Sequence, residues 1–596
     1  MFQNFTVTTS PDAGPARLAK LRETLREEQV DGFLIPRADA HFGENVAPSS
    51  ERLAWLTGFT GSAGYCAALL DTAGVFIDGR YTLQVRSQID LDSFTPLSVP
   101  AVELSDWLIE ALPQGGTIAY DPWLHSFDEI EKLETALVDH NITLRKTDNL
   151  IDRIWTDRPE PPKGKIHPHA MEFAGEASES KRQKIGAELA KKDLTAAVLT
   201  LPDSIAWVLN IRGADISNTP VALCFAILHA NGNFDLFVDL DKCDGALRAH
   251  LGADVTLHPE ADFPENLTAL TGKTAVDRDT APIAISDLLQ TPVWEADPCI
   301  LPKACKNPTE IAGTRTAHIR DAAAMAEFLC WLESAAPSGT LTEIDVVQKL
   351  ETFRRNTNAL KDISFETICG SGPNGAIVHY RVDENSNRMI QTGETLLVDS
   401  GGQYEDGTTD ITRTIAVGEV PIETKRANTL VLKGMIAITR SRWPVGLSGR
   451  DLDGFARIAL WQAGMDYDHG TGHGVGAYLS VHEDPQSISG RPTPPLETGM
   501  IVSNEPGHYK EGVYGIRIEN LLVITPPTIP EGGDRKMHGF ETLTFVPIDR
   551  HLILAQMLTA DERNWLNAYH AEVFEKINAL VTPDTRAWLE SACAPI

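Results

Sequence analysis

The feature that most constrains this chain is a pair of aspartates in a predicted β-hairpin. Residues 395–414 read TLLVDSGGQYEDGTTDITRT, in which Asp399 ends an apolar strand and Asp410 lies in the Thr-rich strand that returns. If the turn centres on Tyr404 and Glu405, the two aspartates stand opposite one another on paired strands. A fold that contains this hairpin must therefore bring two carboxylates close together beside apolar residues.

A second predicted hairpin repeats the arrangement with two glutamates. Residues 499–524 read GMIVSNEPGHYKEGVYGIRIENLLVI, and a turn centred on Gly512 places Glu505 opposite Glu519. An uncompensated buried carboxylate costs several kcal/mol, and opposed like charges destabilise a strand pair further. Two such pairs need either protonation or bound cations, and divalent metal ions would supply the positive charge.

One histidine would complete a metal-binding set around the four acids. With His473 as the nitrogen donor, the candidate ligands are Asp399, Asp410, His473, Glu505 and Glu519. An oxygen-rich donor set of this kind disfavours a structural zinc site and suits manganese. Carboxylates that bridge two ions about 3.5–4 Å apart form the site of two-metal hydrolases. These residues therefore predict metal-assisted hydrolysis.

The stretch DHGTGHGVG, residues 468–476, offers a second candidate histidine. His469 and His473 are four residues apart, which on a helix would place both on one face. The interspersed glycines argue against a helix, and in an extended strand the two histidines also share a face. One would bind metal and the other would meet substrate, and the spacing does not decide which.

Two segments in the front half are typical of one repeated α/β unit. Each predicts a strand, a helix that ends in an Ala-Trp turn, and two further strands of which the second ends in aspartate. Trp55 and Asp78 mark these positions in the first segment, and Trp207 and Asp239 mark them in the second. Because the proline-rich stretch TDRPEPPKGKIHPH between the two segments is typical of a linker, we predict a duplicated α/β domain.

The chain changes character near residue 307. A long helix is predicted over residues 310–335, and Thr342 is a candidate N-cap for the next helix. A second helix pair follows, and each pair precedes a Gly-rich segment and a hairpin, which predicts an α+β domain of two similar halves. Near the end, Thr559 and Glu562 form a capping box. The predicted domains cover residues 1–158, 159–306 and 307–596, the last with a C-terminal helical extension.

Composition excludes several classes of protein. A formal net charge of -31 at pH 7 would repel nucleic acid and anionic membranes. The longest apolar stretch, VALCFAIL, is too short to span a bilayer, and the first residues lack the basic and apolar regions of a signal peptide. The 8 cysteines are scattered without a C-x-x-C pair. We therefore predict a cytoplasmic protein with no nucleic-acid or membrane partner.

Several motifs resemble the metallopeptidase domain with the pita-bread fold. They are IVHY, LLVDSGGQYEDGTTDITRT, HGTGHGVG, VHEDP, NEPGHY and GIRIEN, all between residues 307 and 546. In the front half, GFTGSAG, FIDGRYTLQ, IWTDRP and IAWVLNIRG are similar to the three-domain, cytosolic type of Xaa-Pro aminopeptidase, or aminopeptidase P, of family M24B. The resemblance implies two similar creatinase-N-like α/β domains followed by an α+β pita-bread catalytic domain.

The resemblance also implies a metal centre and a reaction. Two divalent ions, with Mn²⁺ expected, would be held by Asp399, Asp410, His473, Glu505 and Glu519. Asp410 and Glu519 would bridge the ions, and Glu505 would orient a bridging hydroxide as it attacks the Xaa-Pro bond. The enzyme would release the N-terminal residue from peptides with proline at the second position, and it would act as a homodimer.

Five further residues receive roles from the resemblance. His379 in IVHY and His482 in VHEDP match histidines that position the peptide and shuttle protons. His469 matches a pocket histidine that meets substrate rather than metal. Arg517 resembles a group that orients carboxylates, and Arg80 in FIDGRY matches an arginine that reaches towards bound peptide.

Two alternatives stay open at this point. A prolidase, which is a strict Xaa-Pro dipeptidase, shares the catalytic fold but usually has one domain before it, whereas two are predicted here. A non-catalytic pita-bread protein that binds peptides loses the metal carboxylates, and all the ligand positions are filled here. Small departures from the family pattern, at His508 and Asn504, remove no ligand.

Overall fold

The computed structural model describes residues 1–596, and the chain divides into two compact units. The unit that contains both predicted α/β domains consists of Thr8–Met171 and Glu176–Ile300. The unit that contains the predicted catalytic domain consists of Met1–Val7, Glu172–Gly175 and Leu301–Ile596. None of the helices combines the length and the apolarity that crossing a bilayer requires.

The first α/β domain is built on a six-stranded sheet. Its strands are β1 (Gly32–Pro36), β2 (Tyr65–Leu69), β3 (Ala73–Ile77), β4 (Thr95–Ser98), β5 (Gly116–Tyr120) and β6 (Ile142–Lys146). Its helices are α1 (Gly14–Glu28), α2 (Arg52–Thr57), α3 (Gln84–Gln88), α4 (Leu104–Ala111), α5 (Phe127–Leu137) and α6 (Leu150–Ile154). The strand order is β4-β3-β2-β1-β5-β6. Alternate strand residues enter two apolar cores, since Phe33 and Ile35 pack into one and Leu34 into the other.

The second α/β domain has the same topology. Its strands are β7 (His167–Pro168), β8 (Ala196–Leu199), β9 (Ile211–Arg212), β10 (Phe225–His229), β11 (Phe234–Phe237), β12 (Val255–His258), β13 (Thr274–Val276) and β14 (Pro292–Trp294). The helices of this domain are α8 (Ser178–Lys191), α9 (Pro202–Leu209), α10 (Gly245–Leu251), α11 (Phe263–Ala269) and α12 (Ile283–Leu288). Helices α7 (Met171–Ala174) and α13 (Ile300–Ala304) lie almost entirely in segments of the catalytic unit. The main sheet has the order β12-β11-β10-β8-β13-β14. In both domains the central three strands pair antiparallel and the outer ones pair parallel, so the predicted duplication is confirmed.

The catalytic unit combines long helices with short antiparallel sheets. Its first strands are β15 (Asp362–Ile363), β16 (Ile368–Ser371), β17 (Thr395–Ser400), β18 (Gly402–Tyr404), β19 (Gly407–Thr408), β20 (Ile411–Ala416) and β21 (Trp443–Pro444). The later strands are β22 (Gly472–Gly474), β23 (Glu483–Ile488), β24 (Ile501–Asn504), β25 (Gly507–Lys510), β26 (Tyr514–Arg517), β27 (Asn520–Ile524), β28 (Met537–His538) and β29 (Phe540–Thr542). The helices are α14 (Pro308–Ala335), α15 (Glu343–Arg355), α16 (Ile422–Thr439), α17 (Arg450–Trp461), α18 (Ala560–Ile577) and α19 (Pro583–Ala592).

The predicted helices and caps of this unit are observed. Helix α14 covers the predicted range 310–335, and Thr342 caps α15. Thr559 and Glu562 form the capping box that begins α18. The two helix pairs, α14 with α15 and α16 with α17, pack beside the sheets β16-β17-β20 and β23-β22-β24-β27-β29. This arrangement confirms the α+β domain and places the two carboxylate hairpins next to a common apolar core.

The first carboxylate hairpin has a different register from the predicted one. Asp399 pairs with Thr412 rather than with Asp410, because the two-residue turn ends at Asp406. Arg320 on α14 donates two hydrogen bonds to the Asp406 carboxylate, at 2.9 and 2.8 Å, and holds the turn in this position. Since residues two apart on a strand point to the same face, Asp410 still lies on the face of Asp399.

The second hairpin has the predicted register, with its turn at Gly512. Gly512 has a φ of 70°, which glycine adopts without a steric cost. Asn504 pairs with Asn520 at the far end, so the neighbouring residues Glu505 and Glu519 stand opposite one another.

Candidate metal centre

The structure brings the five predicted metal ligands to one place. The ligand atoms of Asp410, His473 and Glu519 all lie within 4.8 Å of one another. The Nε2 atom of His473 lies 3.5 Å from Oδ2 of Asp410 and 3.4 Å from Oε1 of Glu505. Asp399 is close enough that burial and then the charge of Asp410 raise the pKa of its carboxyl.

Each of these residues lies on a short strand or directly beside one. Asp399 is on β17, and Asp410 directly precedes β20. His473 is on β22, Glu505 directly follows β24, and Glu519 lies between β26 and β27. These strands therefore bring side chains from distant parts of the sequence close together.

Strand β22 holds His473 so that one ring nitrogen, Nε2, faces the carboxylates. The Nδ1 atom lies 2.8 Å from the carbonyl oxygen of Gly474, so Nδ1 carries a proton and donates it. The backbone N–H of His473 donates to Oγ of Ser503 at 2.8 Å. In the neutral ring the Nε2 lone pair therefore faces the acids, as in a metal-binding imidazole whose other nitrogen is held by a carbonyl.

The cluster carries more negative charge than its surroundings neutralise. Burial, and then neighbouring carboxylates, raise the pKa of Glu519 well above its ordinary value, and burial raises the pKa of Glu505 to about 7. Burial opposes protonation of His473, but the hydrogen bond to Asp410 and the charge of Glu505 raise its pKa to about 9. The buried Oδ1 atoms of Asp399 and Asp410 accept no hydrogen bond. Divalent cations fit this donor set, since they would supply both the positive charge and the missing partners.

Glycines let β22 lie between its neighbours. A Cβ atom on Gly472 would lie 1.9 Å from the carbonyl oxygen of Ser503, and one on Gly474 would lie 2.1 Å from that of Glu483. The strand covers only 3 residues, and His469 lies before it. The prediction that one extended strand places both histidines on the same face is therefore wrong. Only the segment that lies between β23 and β24 is extended, and His469 is outside it.

A line of hydrogen bonds runs from the carboxylate cluster to His469. Nη2 of Arg517 donates to Oδ2 of Asp399 at 2.5 Å, and Nη1 of Arg517 donates to the Tyr509 hydroxyl at 2.6 Å. Nδ1 of His469 donates to the carbonyl oxygen of Gly470 at 2.8 Å. In the neutral ring Nε2 therefore accepts from the Tyr509 hydroxyl, also at 2.8 Å. His469 is thus held by a phenol and lies outside the carboxylate cluster.

The other predicted residues lie in three different settings. The ring of His482 lies 4.2 Å from the ring of His473, centroid to centroid, at an interplanar angle of 84°. His379 is half-buried in the turn that precedes β17. Arg80 pairs with Asp78 at 2.6 Å within the first α/β domain. His482 therefore lies directly beside a metal-ligand candidate.

Three further residues contact the predicted ones and were not predicted from the sequence. Tyr509 is the phenol described above. Oγ1 of Thr412 donates to Oε2 of Glu519 at 2.8 Å, and Oγ of Ser503 donates to Oε1 of Glu505 at 3.2 Å. Thr412 and Ser503 each lie two residues from a predicted ligand along the chain, so strand alternation is a signal that points to them. Tyr509 pairs with Gly515, two residues from Arg517, so the register of the second hairpin points to it in the same way.

Four regions of the chain match known protein families. Residues 17–154 and residues 157–310 each match the creatinase/prolidase N-terminal domain. Residues 312–526 match metallopeptidase family M24, and residues 536–596 match the C-terminal region of peptidase M24. The matches follow the order of the two α/β domains and the catalytic unit.

Relatives resemble this chain over nearly its whole length. The probable Xaa-Pro aminopeptidase P of Laccaria bicolor is 39% identical over 606 residues, which cover 97% of this chain and 93% of that protein. Aminopeptidase P2 of Arabidopsis thaliana is 38% identical and covers 97% of this chain and 88% of its own. The crystal structure of X-prolyl aminopeptidase from Caenorhabditis elegans, described as a cytosolic enzyme with a di-nuclear active site, has a TM-score of 0.94 and 34% identity. It covers 98% of this chain and 100% of its own.

Proposed function

The chain belongs to metallopeptidase family M24, with the Xaa-Pro aminopeptidases P, and we propose that it releases the N-terminal residue from peptides with proline at the second position. The observation that carries this proposal is the convergence of Asp410, His473 and Glu519 in a chain with that whole-length similarity. A peptide bond to proline has no N–H, so a site that cleaves it must accommodate the pyrrolidine ring and need not bind that donor.

Two divalent metal ions are proposed as cofactors. The proposed ligands are Asp399, Asp410, His473, Glu505 and Glu519, with Asp410 and Glu519 bridging. When bound, the ions would activate water and polarise the scissile carbonyl. Mn²⁺ is proposed because four carboxylates and one imidazole form an oxygen-rich donor set. Elemental analysis of protein purified without chelator tests this, and a different metal bound at full activity would contradict the choice of manganese.

Two histidines are proposed to act directly on the peptide. His379 and His482 would position the substrate and transfer protons, since an imidazole changes charge near neutral pH. His482 is well placed for this role, because its ring lies against His473. We expect His482→Ala to lower kcat strongly and to leave the bound metal unchanged. Loss of metal together with activity would instead indicate a ligand role.

Arg517 and His469 are proposed to act beside the metal ligands. Arg517 would orient Asp399, because its guanidinium holds Oδ2 and so leaves Oδ1 for an ion. His469 would contact the peptide, since Tyr509 holds its ring outside the carboxylate cluster. Substitution of His469 is expected to raise KM without removing metal.

Arg80 is proposed to bind the peptide. Its side chain is 25% exposed, and its guanidinium pairs with Asp78, which keeps the side chain in one orientation. An arginine that only contacts substrate should change KM and leave kcat at saturation unaffected. We expect Arg80→Ala to raise KM, with Arg86→Ala as the control on the next helix, and an unchanged KM would contradict the proposal.

A tripeptide assay separates this proposal from the two alternatives. The protein is expected to release arginine from Arg-Pro-Pro. Turnover of Gly-Pro alone would indicate a prolidase, a strict dipeptidase. Peptide binding without any turnover, in protein shown to carry metal, would indicate a non-catalytic peptide-binding protein.

A homodimer is proposed, with helix α17 as the contact. The helix exposes three large apolar residues, Phe455 at 50%, Ile458 at 52% and Trp461 at 49%. Their spacing places them along one side of the helix, and an exposed apolar patch of this kind marks a contact with another protein. Light scattering should give the mass of a dimer for the native chain and of a monomer for Ile458→Glu. Val138→Glu, at a 69% exposed residue, is the control that should stay dimeric.

We also propose a cytoplasmic location and the domain limits 1–158, 159–306 and 307–596. All 8 cysteines are free, as in proteins of a reducing compartment, and the Caenorhabditis elegans relative is described as cytosolic. Limited proteolysis tests the limits, since cleavage is expected between the proposed domains and not within them.

A further inference from the structure

The segment at residues 2–5, which we term the N-terminal strap, packs on the catalytic unit. The chain that follows it, from Thr8 on, belongs to the other unit. The backbone N–H groups of Phe2 and Gln3 donate to the two carboxylate oxygens of Glu351 on α15, at 2.8 and 3.4 Å. Glu351 is itself buried. The strap is therefore anchored to a fixed element of the catalytic unit.

The side chain of Gln3 makes two hydrogen bonds to the backbone of a single residue, Thr367. Its Nε2 donates to the carbonyl oxygen of Thr367 at 3.3 Å, and its Oε1 accepts from the N–H of Thr367 at 2.8 Å. Gln3 is 4% exposed, so neither bond competes with bulk water. Thr367 directly precedes β16, whose first residue, Ile368, pairs with the proposed metal ligand Asp399.

The other end of the strap binds the chain just after His379. The carbonyl oxygen of Phe5 accepts from the N–H of Glu384 at 3.0 Å, and the carbonyl oxygen of Asn4 accepts from Nη2 of Arg381 at 3.4 Å. The Phe5 ring packs against the apolar core of the catalytic unit. The strap thus joins the residues before β16 to the residues that follow the His379 turn.

We propose that the N-terminal strap is a positioning element that fixes the His379 turn for catalysis. Residues 368–383, between its two attachment points, contain β16 and that turn. The proposal rests on the proposed function, in which His379 positions the peptide and transfers protons. Gln3 is buried and Phe5 packs against the core, so both act through the backbone on either side of His379.

Kinetics of Gln3→Met test the catalytic part of this proposal. The substitution keeps the length of the side chain and removes both hydrogen bonds to Thr367. We expect kcat to fall about tenfold, because small displacements of a catalytic group are costly, with KM and bound metal unchanged. Asn428→Ala is the matched control, since it removes a buried amide that donates to the Leu552 carbonyl at 3.2 Å in the same unit. It should lower the unfolding temperature and leave kcat unchanged.

Hydrogen exchange of the metal-free protein tests the strap without any use of activity. Backbone amides in residues 368–384 should exchange faster in Gln3→Met than in the native chain or in Asn428→Ala. Unchanged exchange there would overturn the proposal, and faster exchange with native kcat would overturn its catalytic part. A native chain that holds metal but cleaves no Xaa-Pro peptide would overturn the proposed function, while the exchange experiment would still decide whether the strap holds the turn.

Discussion

The Tyr509 hydroxyl accepts a hydrogen bond from Nη1 of Arg517 over 2.6 Å, and Nη2 of the same guanidinium holds Asp399. The hydroxyl also donates to Nε2 of His469. Burial raises the pKa of Tyr509 to about 12, so the phenol keeps its proton at neutral pH. One oxygen atom therefore links the orientation of a proposed metal ligand to that of a proposed peptide-binding histidine.

Removal of this hydroxyl should weaken catalysis without removing metal. We expect Tyr509→Phe to lower kcat/KM about tenfold, because it removes the hydroxyl that accepts from the buried guanidinium of Arg517 and donates to His469. Steady-state kinetics and elemental analysis of the same preparation measure both effects. Tyr514→Phe on the same hairpin is the control, since its hydroxyl makes only a 3.4 Å contact with His508. Equal losses in the two variants would show that Tyr509 has no special role.

Loss of either proposed bridging carboxylate should abolish hydrolysis. Asp410→Ala and Glu519→Ala each remove a ligand from the tight cluster with His473, and bound metal should fall with activity. Glu541→Ala is the control, because this acid forms an exposed pair with Arg315. Near-normal turnover of Asp410→Ala or Glu519→Ala would refute the two-metal assignment.

The same cluster predicts opposite effects on stability with and without metal. Glu519 is buried beside other carboxylates, so its charge is unfavourable until a cation compensates it. We therefore expect Glu519→Gln to raise the unfolding temperature of chelator-treated protein and to reduce the stabilisation that added Mn²⁺ produces. Calorimetry with and without metal measures both. A lower unfolding temperature in chelator would show that Glu519 is satisfied by the protein alone.

The candidate site was largely predictable because its acids occur in pairs within hairpins. The register of the second hairpin followed from Gly512, whose conformation is a local property of the chain. The register of the first hairpin did not, because Arg320 holds the turn at Asp406 from a helix distant in the sequence. The predicted and observed registers differ by two residues, so Asp410 lies on the same face of the strand in both. The predicted ligand set is therefore the same with either register.

The fold was predictable to the level of its repeated units. Alternating strands and helices around Trp55 and Trp207 indicated a duplicated α/β domain, and both sheets have one topology. The contacts that connect distant segments were not predictable. Gln3 and Thr367 are 364 residues apart, and no periodicity or motif marks a glutamine as the partner of a remote backbone. The hydrogen bond between Tyr509 and His469 likewise joins segments that are 40 residues apart.

A buried ion cluster at Glu483 should be important for stability. The Nζ atoms of Lys303 and Lys306 both contact its carboxylate, and all three side chains are almost fully buried. We expect Glu483→Gln to destabilise the catalytic unit by about 3 kcal/mol, because it removes the negative charge that faces two buried ammonium groups. Denaturant unfolding measures this. Lys146→Met, which breaks an exposed pair with Asp287, is the control and should cost less than about 1 kcal/mol. Similar losses in both variants would contradict the argument.

His570 should make stability depend on pH in the acid range. Its ring is buried, and its Nε2 accepts from the N–H of Ile548 at 3.2 Å. Burial, and then the charges of Arg413 and Arg550, lower the pKa of His570 from 6.5 to about 4. Between these two values the unfolded chain binds more protons than the folded one. The contribution of His570 is therefore fully present above pH 6.5 and is lost as the pH falls towards about 4.

The substitution His570→Gln should flatten this part of the stability profile, because an amide oxygen can still accept from Ile548 but does not titrate. The native chain should lose about 3 kcal/mol more than the variant by the acid end of the window, from a shift of about 2.5 pKa units. Thermal unfolding at a series of pH values measures the difference. His551→Gln is the control of opposite sign, since the hydrogen bond to Asp549 raises the pKa of His551 and its contribution is lost as the pH rises. Parallel profiles for the native chain and His570→Gln would show that the buried ring does not govern acid stability.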